Sequence, residues 1–182
     1  MNNYFVMLKE NVSSLKNTRV IVGVALFCGL QVILNNFNIY LGPTLRITFS
    51  FLAVAASCYF YGPYPNMLAA VVMDFIGYAM HPEGAYFPGY ALNAMIMAFI
   101  FSSFFYEQKI RLWKIIAARA LIVIINYLIL NSLWLSLMYG DSFIVLLGAR
   151  VVKNLIMFPI DVILLYFVLK TCERLYPHFH LR

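Results

Sequence analysis

Charged side chains are scarce in this chain. Asp, Glu, Lys and Arg make up 11% of its 182 residues, whereas 64% are hydrophobic. A water-soluble domain of this size needs more polar surface than that. The glycine-rich loop that ends in Lys and then Ser or Thr, which binds nucleotide phosphates, is also missing. The sequence therefore predicts a membrane protein without an ATP-binding domain.

Cysteine is also rare, and Cys28, Cys58 and Cys172 show none of the spacings of a metal or redox site. The carboxylates within the apolar spans, Asp74 and Asp161, lie at different depths, and no nucleophile–base pair accompanies them. The sequence therefore argues against an enzyme, a metal site and a bound cofactor. Basic residues are not gathered with aromatic partners, so no nucleic acid is expected as a partner.

Long apolar stretches dominate the chain, and most approach the ~20 residues that cross a bilayer as a helix. They cover residues 20–37, 45–61, 66–80, 89–106, 112–139 and 143–169. The third stretch is the shortest. The sequence predicts an all-α fold, an integral membrane bundle of six transmembrane helices forming one domain over residues 1–182.

Lys and Arg cluster before the first span, between the fourth and fifth, and after the sixth, and the opposite connections have none. The positive-inside rule therefore predicts that both termini are cytoplasmic. No signal-peptide cleavage site precedes the first span. Residues 1–18 carry apolar side chains at helical spacing, which is typical of an interfacial helix on membrane lipid, although a disordered tail is an equal alternative.

Six ionisable residues fall inside the apolar spans, where a charge costs ~3 kcal/mol or more unless it is paired or binds something. They are Arg46, Asp74, Arg119, Arg150, Lys153 and Asp161. Arg119 and Asp161 come from neighbouring spans at similar depth, which predicts a structural ion pair. Arg46 is expected to open the second helix, and it has only Asp74 nearby as a counter-charge.

The remaining polar residues of the spans share the predicted outer half of the membrane with an aromatic loop at residues 82–90. We predict a cationic, partly aromatic cavity there, formed by Arg46, Asp74, Tyr86, Phe87, Tyr90, Asn93, Asn131, Trp134, Arg150, Lys153 and Asn154. The alternative interpretation is polar contact between helices plus an interfacial aromatic belt.

Several motifs resemble those of one transporter family. They are LRITFSF at 45–51, YGP at 61–63, DFIGY at 74–78, YFPGY at 86–90, LNSLWLS at 130–136, YG at 139–140, Arg150 with Lys153–Asn154, and PID at 159–161. Together they resemble the folate-specific substrate-binding (S) component of energy-coupling factor (ECF) transporters. Two positions differ from the pattern of that family: Asp161 replaces a Glu, and Tyr90 replaces the usual Phe.

The resemblance implies a six-helix vitamin-capture protein of the bacterial cell (cytoplasmic) membrane. Its partners would be folate, a transmembrane coupling protein and two cytoplasmic ATPases, and the loaded protein would topple to deliver its cargo. Ala25 and Gly29, four residues apart on the first span, would then dock on the coupling protein. Packing of this pair inside the bundle is the alternative.

Folate fits the expected cavity chemically. Arg46, Arg150 and Lys153 could neutralise its two carboxylates, Asp74 or the Asn side chains could bond its pterin edge, and the aromatic rings could stack on it. Two alternatives remain at this point. One is an S component for another vitamin, such as riboflavin, thiamine or a tetrapyrrole precursor, and the other is a membrane scaffold that transports nothing.

Overall fold

The computed structural model describes residues 14–40, 46–80, 86–140 and 143–176. Most of the predicted interfacial segment at 1–18 lies outside this part of the chain. The described remainder of that segment is a short 3-10 turn, Ser14–Lys16, followed by Asn17. The Asn17 Oδ1 accepts a hydrogen bond from the backbone N–H of Arg19 at 3.0 Å and so caps the first helix.

The described ranges form six helices, which confirms the predicted helical bundle. They are α1 (Thr18–Asn36), α2 (Ser50–Tyr61), α3 (Pro63–Met80), α4 (Gly89–Phe105), α5 (residues 112–139) and α6 (Phe143–Leu175). Three segments, Thr18–Asn36, Leu112–Met138 and Arg150–Leu175, are long and apolar enough to span a bilayer. The orientation of the termini stays a prediction.

The start of the second span differs from the prediction of a helix opening at Arg46. Strand β1 (Asn38–Tyr40) pairs antiparallel with strand β2 (Arg46–Thr48), and α2 begins only at Ser50. Hydropathy cannot separate a short apolar strand from the end of a helix, because both read as an apolar run. The β-branched residues Ile47 and Thr48 favour the extended form, and pairing with β1 satisfies their backbone groups.

Helix α5 is continuous but changes its hydrogen-bonding pattern in the middle. It begins as an α-helix over Leu112–Ile122, widens to a π-helix over Val123–Leu130, and returns to an α-helix over Asn131–Tyr139. Such π segments are rare in proteins, and many of those known lie at functional sites. In this chain the segment contains Asn126 and Tyr127, whose contacts are described below.

The turn between α2 and α3 is closed by one side chain. Gly62 has a positive φ of 77°, which glycine adopts readily, and Pro63 then begins α3. The Asn66 Nδ2 donates to the backbone carbonyls of Gly62 at 2.7 Å and Ser57 at 3.2 Å. The Ser57 hydroxyl donates to the Asn66 Oδ1 at 2.5 Å. Backbone groups at the end of α2 are thereby satisfied without water.

The most tightly packed core joins α2, α4, α5 and α6. Its large, fully buried side chains are Phe101, Phe105, Ile115, Ile122, Leu165 and Leu169. Helices α1 and α3 carry many exposed apolar side chains instead, among them Leu26, Ile33 and Phe75. Apolar surface of this kind is suited to lipid rather than to water.

The predicted ion pair between the fifth and sixth helices is confirmed. The Arg119 Nη2 donates to the Asp161 Oδ2, and the two side chains are only 5% and 4% exposed. The Arg119 guanidinium carbon also lies 4.9 Å from the ring centre of Phe51 on α2 and 5.2 Å from that of Tyr127. The charge is therefore held by one carboxylate and two aromatic faces.

We expect Arg119→Leu and Asp161→Leu each to destabilise the protein by about 3–5 kcal/mol, because each leaves one buried charge alone. The double variant should recover most of that loss. Thermal unfolding of the purified protein in detergent measures all three. Lys170→Leu is the control, because its pair with Glu173 is 39% and 26% exposed and is worth about 1 kcal/mol or less. A double variant as unstable as the sum of the singles would contradict the pairing.

Candidate functional site

A cavity of about 870 Å³ lies at the end of the bundle that carries the β1–β2 hairpin. That volume falls within the ~300–1,000 Å³ of pockets that hold small organic ligands. Helices α1 to α4, strand β2, the segment before α4 and the end of α5 supply its walls. Residues from these elements include Phe27, Gln31, Thr48, Val54, Met73, Asp74, Tyr86, Phe87, Tyr90, Met97 and Leu135. The described Lys and Arg at the helix ends, such as Arg19, Arg111 and Arg174, belong to the other end.

Asp74 and Tyr86 form a bonded pair in this wall. The Tyr86 hydroxyl donates to the Asp74 Oδ2 at 3.0 Å. The Tyr86 ring packs between Phe75 and Tyr78, at centroid distances of 5.9 and 5.2 Å. Burial, and then the bond to Asp74, raises the pKa of the Tyr86 hydroxyl, so it stays protonated and keeps donating. The pair presents carboxylate oxygen to the cavity in a fixed position.

Phe87 and Tyr90 add flat apolar surface to the same wall. Both line the cavity, and their rings meet edge to face at 6.2 Å between centroids and 80° between planes. Aromatic faces arranged in this way offer stacking surface to a planar ligand. The structure thus brings four of the predicted site residues together: Asp74, Tyr86, Phe87 and Tyr90.

The cavity also has uncharged polar lining that the sequence prediction missed. Its members are Gln31, Asn35, Asn36, Thr48, Ser57 and Asn66. They supply hydrogen-bond donors and acceptors without charge, as ligand pockets commonly do. A sequence signal did exist, since a polar residue inside an apolar span is costly unless it is satisfied. All six lie in the first three predicted spans, where only the charged residues Arg46 and Asp74 were assigned to the site.

Asn93, Asn131 and Trp134 were predicted to bind the ligand, but none of them lines the cavity. They bond to one another instead. The Asn93 Nδ2 donates to the Asn131 Oδ1 at 2.9 Å, and the Trp134 Nε1 donates to the Asn93 Oδ1 at 3.0 Å. This group lies behind Phe87, whose ring is 5.3 Å from that of Trp134.

The three predicted residues of α6 also lie off the cavity wall. The Arg150 Nη1 donates to the backbone carbonyl of Tyr127 at 3.4 Å, and the Asn154 Nδ2 donates to that of Arg150 at 2.9 Å. Lys153 is exposed. For Arg46 the structure describes the backbone alone, so its side chain lies outside the described atoms. Among the described lining residues, Asp74 carries the charge.

The amino-acid sequence matches a known family of proteins. Residues 19–169 match the family described as "ECF transporter, substrate-specific component". The chain belongs to this family of S components. It is therefore a multi-pass protein of the bacterial cell membrane and not an enzyme.

Relatives of this S component are similar over almost their whole length. A "Folate transporter FolT" of Clostridium novyi (strain NT) is 34% identical over 88% of this chain and 94% of the relative. Another of the same name, from Leuconostoc mesenteroides subsp. mesenteroides, is 36% identical over 84% and 85%. A solved structure described as "Crystal structure of FolT bound with folic acid" is 30% identical with a TM-score of 0.76. It covers 85% of this chain and 95% of the solved one.

The small residues on α1 of this S component have different surroundings. A Cβ added at Gly23 would lie 2.0 Å from the Tyr61 hydroxyl oxygen, so Gly23 is used for packing inside the bundle. Ala25 and Gly29 are exposed, and a Cβ at Gly29 would meet no described atom within 4 Å. Their small size is therefore not required by contacts among the described residues.

Proposed function

We propose that this chain is the S component that captures folate for an ECF-type vitamin transporter. The observation that carries the proposal is the cavity in which the Asp74–Tyr86 pair stands beside the rings of Phe87 and Tyr90. A pterin ring is flat and has donor groups on one edge, so a carboxylate next to aromatic faces matches it. The folate transporters among the relatives, and the similar structure with folic acid, support the assignment.

In this proposal Asp74 accepts hydrogen bonds from the pterin edge, and Gln31, Asn35 and Thr48 bond the rest of the ligand. The glutamate carboxylates need a cation. Arg46 is our assignment, because its strand β2 also carries Thr48, which lines the cavity. Arg150 and Lys153, off the described wall, are the competing assignment.

Ligand identity is tested by calorimetry on the purified chain with folate, riboflavin and thiamine. We expect folate to bind and the other two to give no heat. Gly77→Phe should abolish folate binding, because Gly77 lines the cavity and a Cβ there meets no described atom within 4 Å, so the ring fills ligand space. Gly148→Phe is the matched control, since Gly148 is equally open but exposed off the cavity. Thiamine binding in place of folate would mean that Asp74 serves a cationic vitamin.

Two variants separate the two ends of folate. Asp74→Asn should weaken folate and pteroate, which lacks the glutamate, by similar factors. Arg46→Gln should weaken folate alone. Losing one bond to a charged group costs about 1.5–3 kcal/mol, roughly ten- to hundredfold in affinity. Titrating each variant with both ligands gives the ratios. If Arg150→Gln or Lys153→Gln, and not Arg46→Gln, removed the preference for folate over pteroate, Arg46 would not be the carboxylate partner.

Transport requires the transmembrane coupling protein and the two cytoplasmic ATPases of the ECF module, and we assign docking to Ala25 and Gly29. Both are exposed and small, which lets a partner helix approach closely. We expect Ala25→Leu and Gly29→Leu to keep folate binding but to abolish ATP-dependent uptake by vesicles that contain the whole complex. Gly148→Leu, at another open glycine, should transport normally. Normal uptake by both α1 variants would refute this docking surface.

A further inference from the structure

Trp134 stands behind the cavity wall rather than in it. Its ring lies 5.3 Å from the ring of Phe87, at an interplanar angle of 53°. Phe87 lines the cavity, whereas Trp134 does not. The tryptophan thus supports an aromatic wall residue from the side that faces away from the ligand space.

The orientation of the Trp134 ring is set by amide side chains that join α4 to α5. Asn93 is 8% exposed, and its Oδ1 accepts from the Trp134 Nε1 at 3.0 Å. Its Nδ2 donates to the Asn131 Oδ1 at 2.9 Å, which fixes which way the amide points. Its backbone carbonyl accepts from the Nδ2 of Asn126, in the π segment, at 2.8 Å. Asn93 is therefore held on three sides by α5.

Gly89 shows how tightly the wall is packed at this point. A Cβ added there would lie 2.3 Å from the Phe87 Cε1 and 2.8 Å from the Trp134 Cδ2. Real Cβ atoms do not approach other atoms so closely, so even alanine must displace one of the two rings. The first turn of α4 and the two rings form one packed unit.

We propose that Trp134, held by Asn93, is a positioning residue that keeps Phe87 in the cavity wall, so that it controls the rate at which folate leaves without touching folate. The identity of the ligand rests on the proposed function, whereas the contacts of Trp134 do not depend on it. When Trp134 is no longer held in place, Phe87 can move out of the cavity wall, and the ligand loses its contact with that ring. The dissociation rate of folate then rises, and the Trp134 ring becomes accessible to solvent even when no ligand is bound.

The first test needs no ligand. The chain has two tryptophans, and Trp113→Phe leaves Trp134 as the sole emitter. In that background we expect Gly89→Ala to raise the acrylamide quenching constant of Trp134, because the added methyl pushes the rings apart. Gly148→Ala is the matched control, since its Cβ meets no described atom within 4 Å, and it should leave quenching unchanged.

The second test measures folate dissociation by stopped-flow chase. Gly89→Ala, which displaces the rings, and Trp134→Phe, which removes the bond from Nε1 to Asn93, should each raise the dissociation rate roughly three- to tenfold, the range expected when one aromatic contact is weakened. Gly148→Ala and Trp113→Phe should match the unchanged protein, since Trp113 is 58% exposed at the start of α5. Trp134→Phe adds no atoms next to Gly89, so the dissociation rate can still be measured with this variant if Gly89→Ala does not fold.

The two tests separate this proposal from the proposed function. Equal quenching in the Gly89→Ala and Gly148→Ala variants would overturn the positioning role, whether or not folate binds. Unchanged dissociation rates in both Gly89→Ala and Trp134→Phe would overturn it as well. A native chain that binds no folate at all would contradict the proposed function, while the quenching comparison would still decide the role of Trp134.

Discussion

Each charge placed inside a bilayer has to be satisfied by the protein itself, because hydrocarbon offers no hydrogen bonds. The Arg119–Asp161 pair meets this requirement between α5 and α6, and Phe51 on α2 covers the guanidinium. Three helices are thereby fixed against one another around one buried contact. The fully buried side chains of α4, α5 and α6 pack in the same region. The cavity lies elsewhere, where α1 and α3 complete the wall.

The cavity follows the opposite rule, because its polar groups face a space and not only one another. Asp74 is bonded on one side by Tyr86, and Gln31 and Thr48 line the same volume. A ligand with several donors and acceptors satisfies such groups at once, which is how a largely apolar pocket gains specificity. Charge satisfaction thus divides the polar residues of this chain into those closed within the bundle and those turned toward the ligand.

Sequence patterns predicted most helix ends to within a few residues, because hydropathy is a local property. The exceptions are the start of the second helix, at Ser50 and not residue 45, and the end of the sixth, at Leu175 and not residue 169. Strands β1 and β2 were missed because Arg46 pairs with Tyr40, and hydropathy does not report which residues pair. Arg150 and Lys153 were expected in the cavity because they share its predicted half of the membrane. Depth in the membrane does not fix how a helix is rotated about its axis, and no described residue of α6 lines the cavity. Asp74, Tyr86, Phe87 and Tyr90 do meet at the cavity, because the short segment before α4 sets Tyr86 against α3 and carries the two other rings next to it.

Helix α1 connects the cavity with the surface assigned to docking. Phe27, Gln31 and Asn35 line the cavity, while Ala25 and Gly29 face outward. At about 100° per residue these two sets lie roughly a third of a turn apart on one helix. A helix that touches both the ligand and the coupling protein would link the two sites without any intermediate element. If Ala25 and Gly29 form the docking surface that we propose, a shift of α1 caused by ligand would reach the coupling protein directly, without passing through another helix.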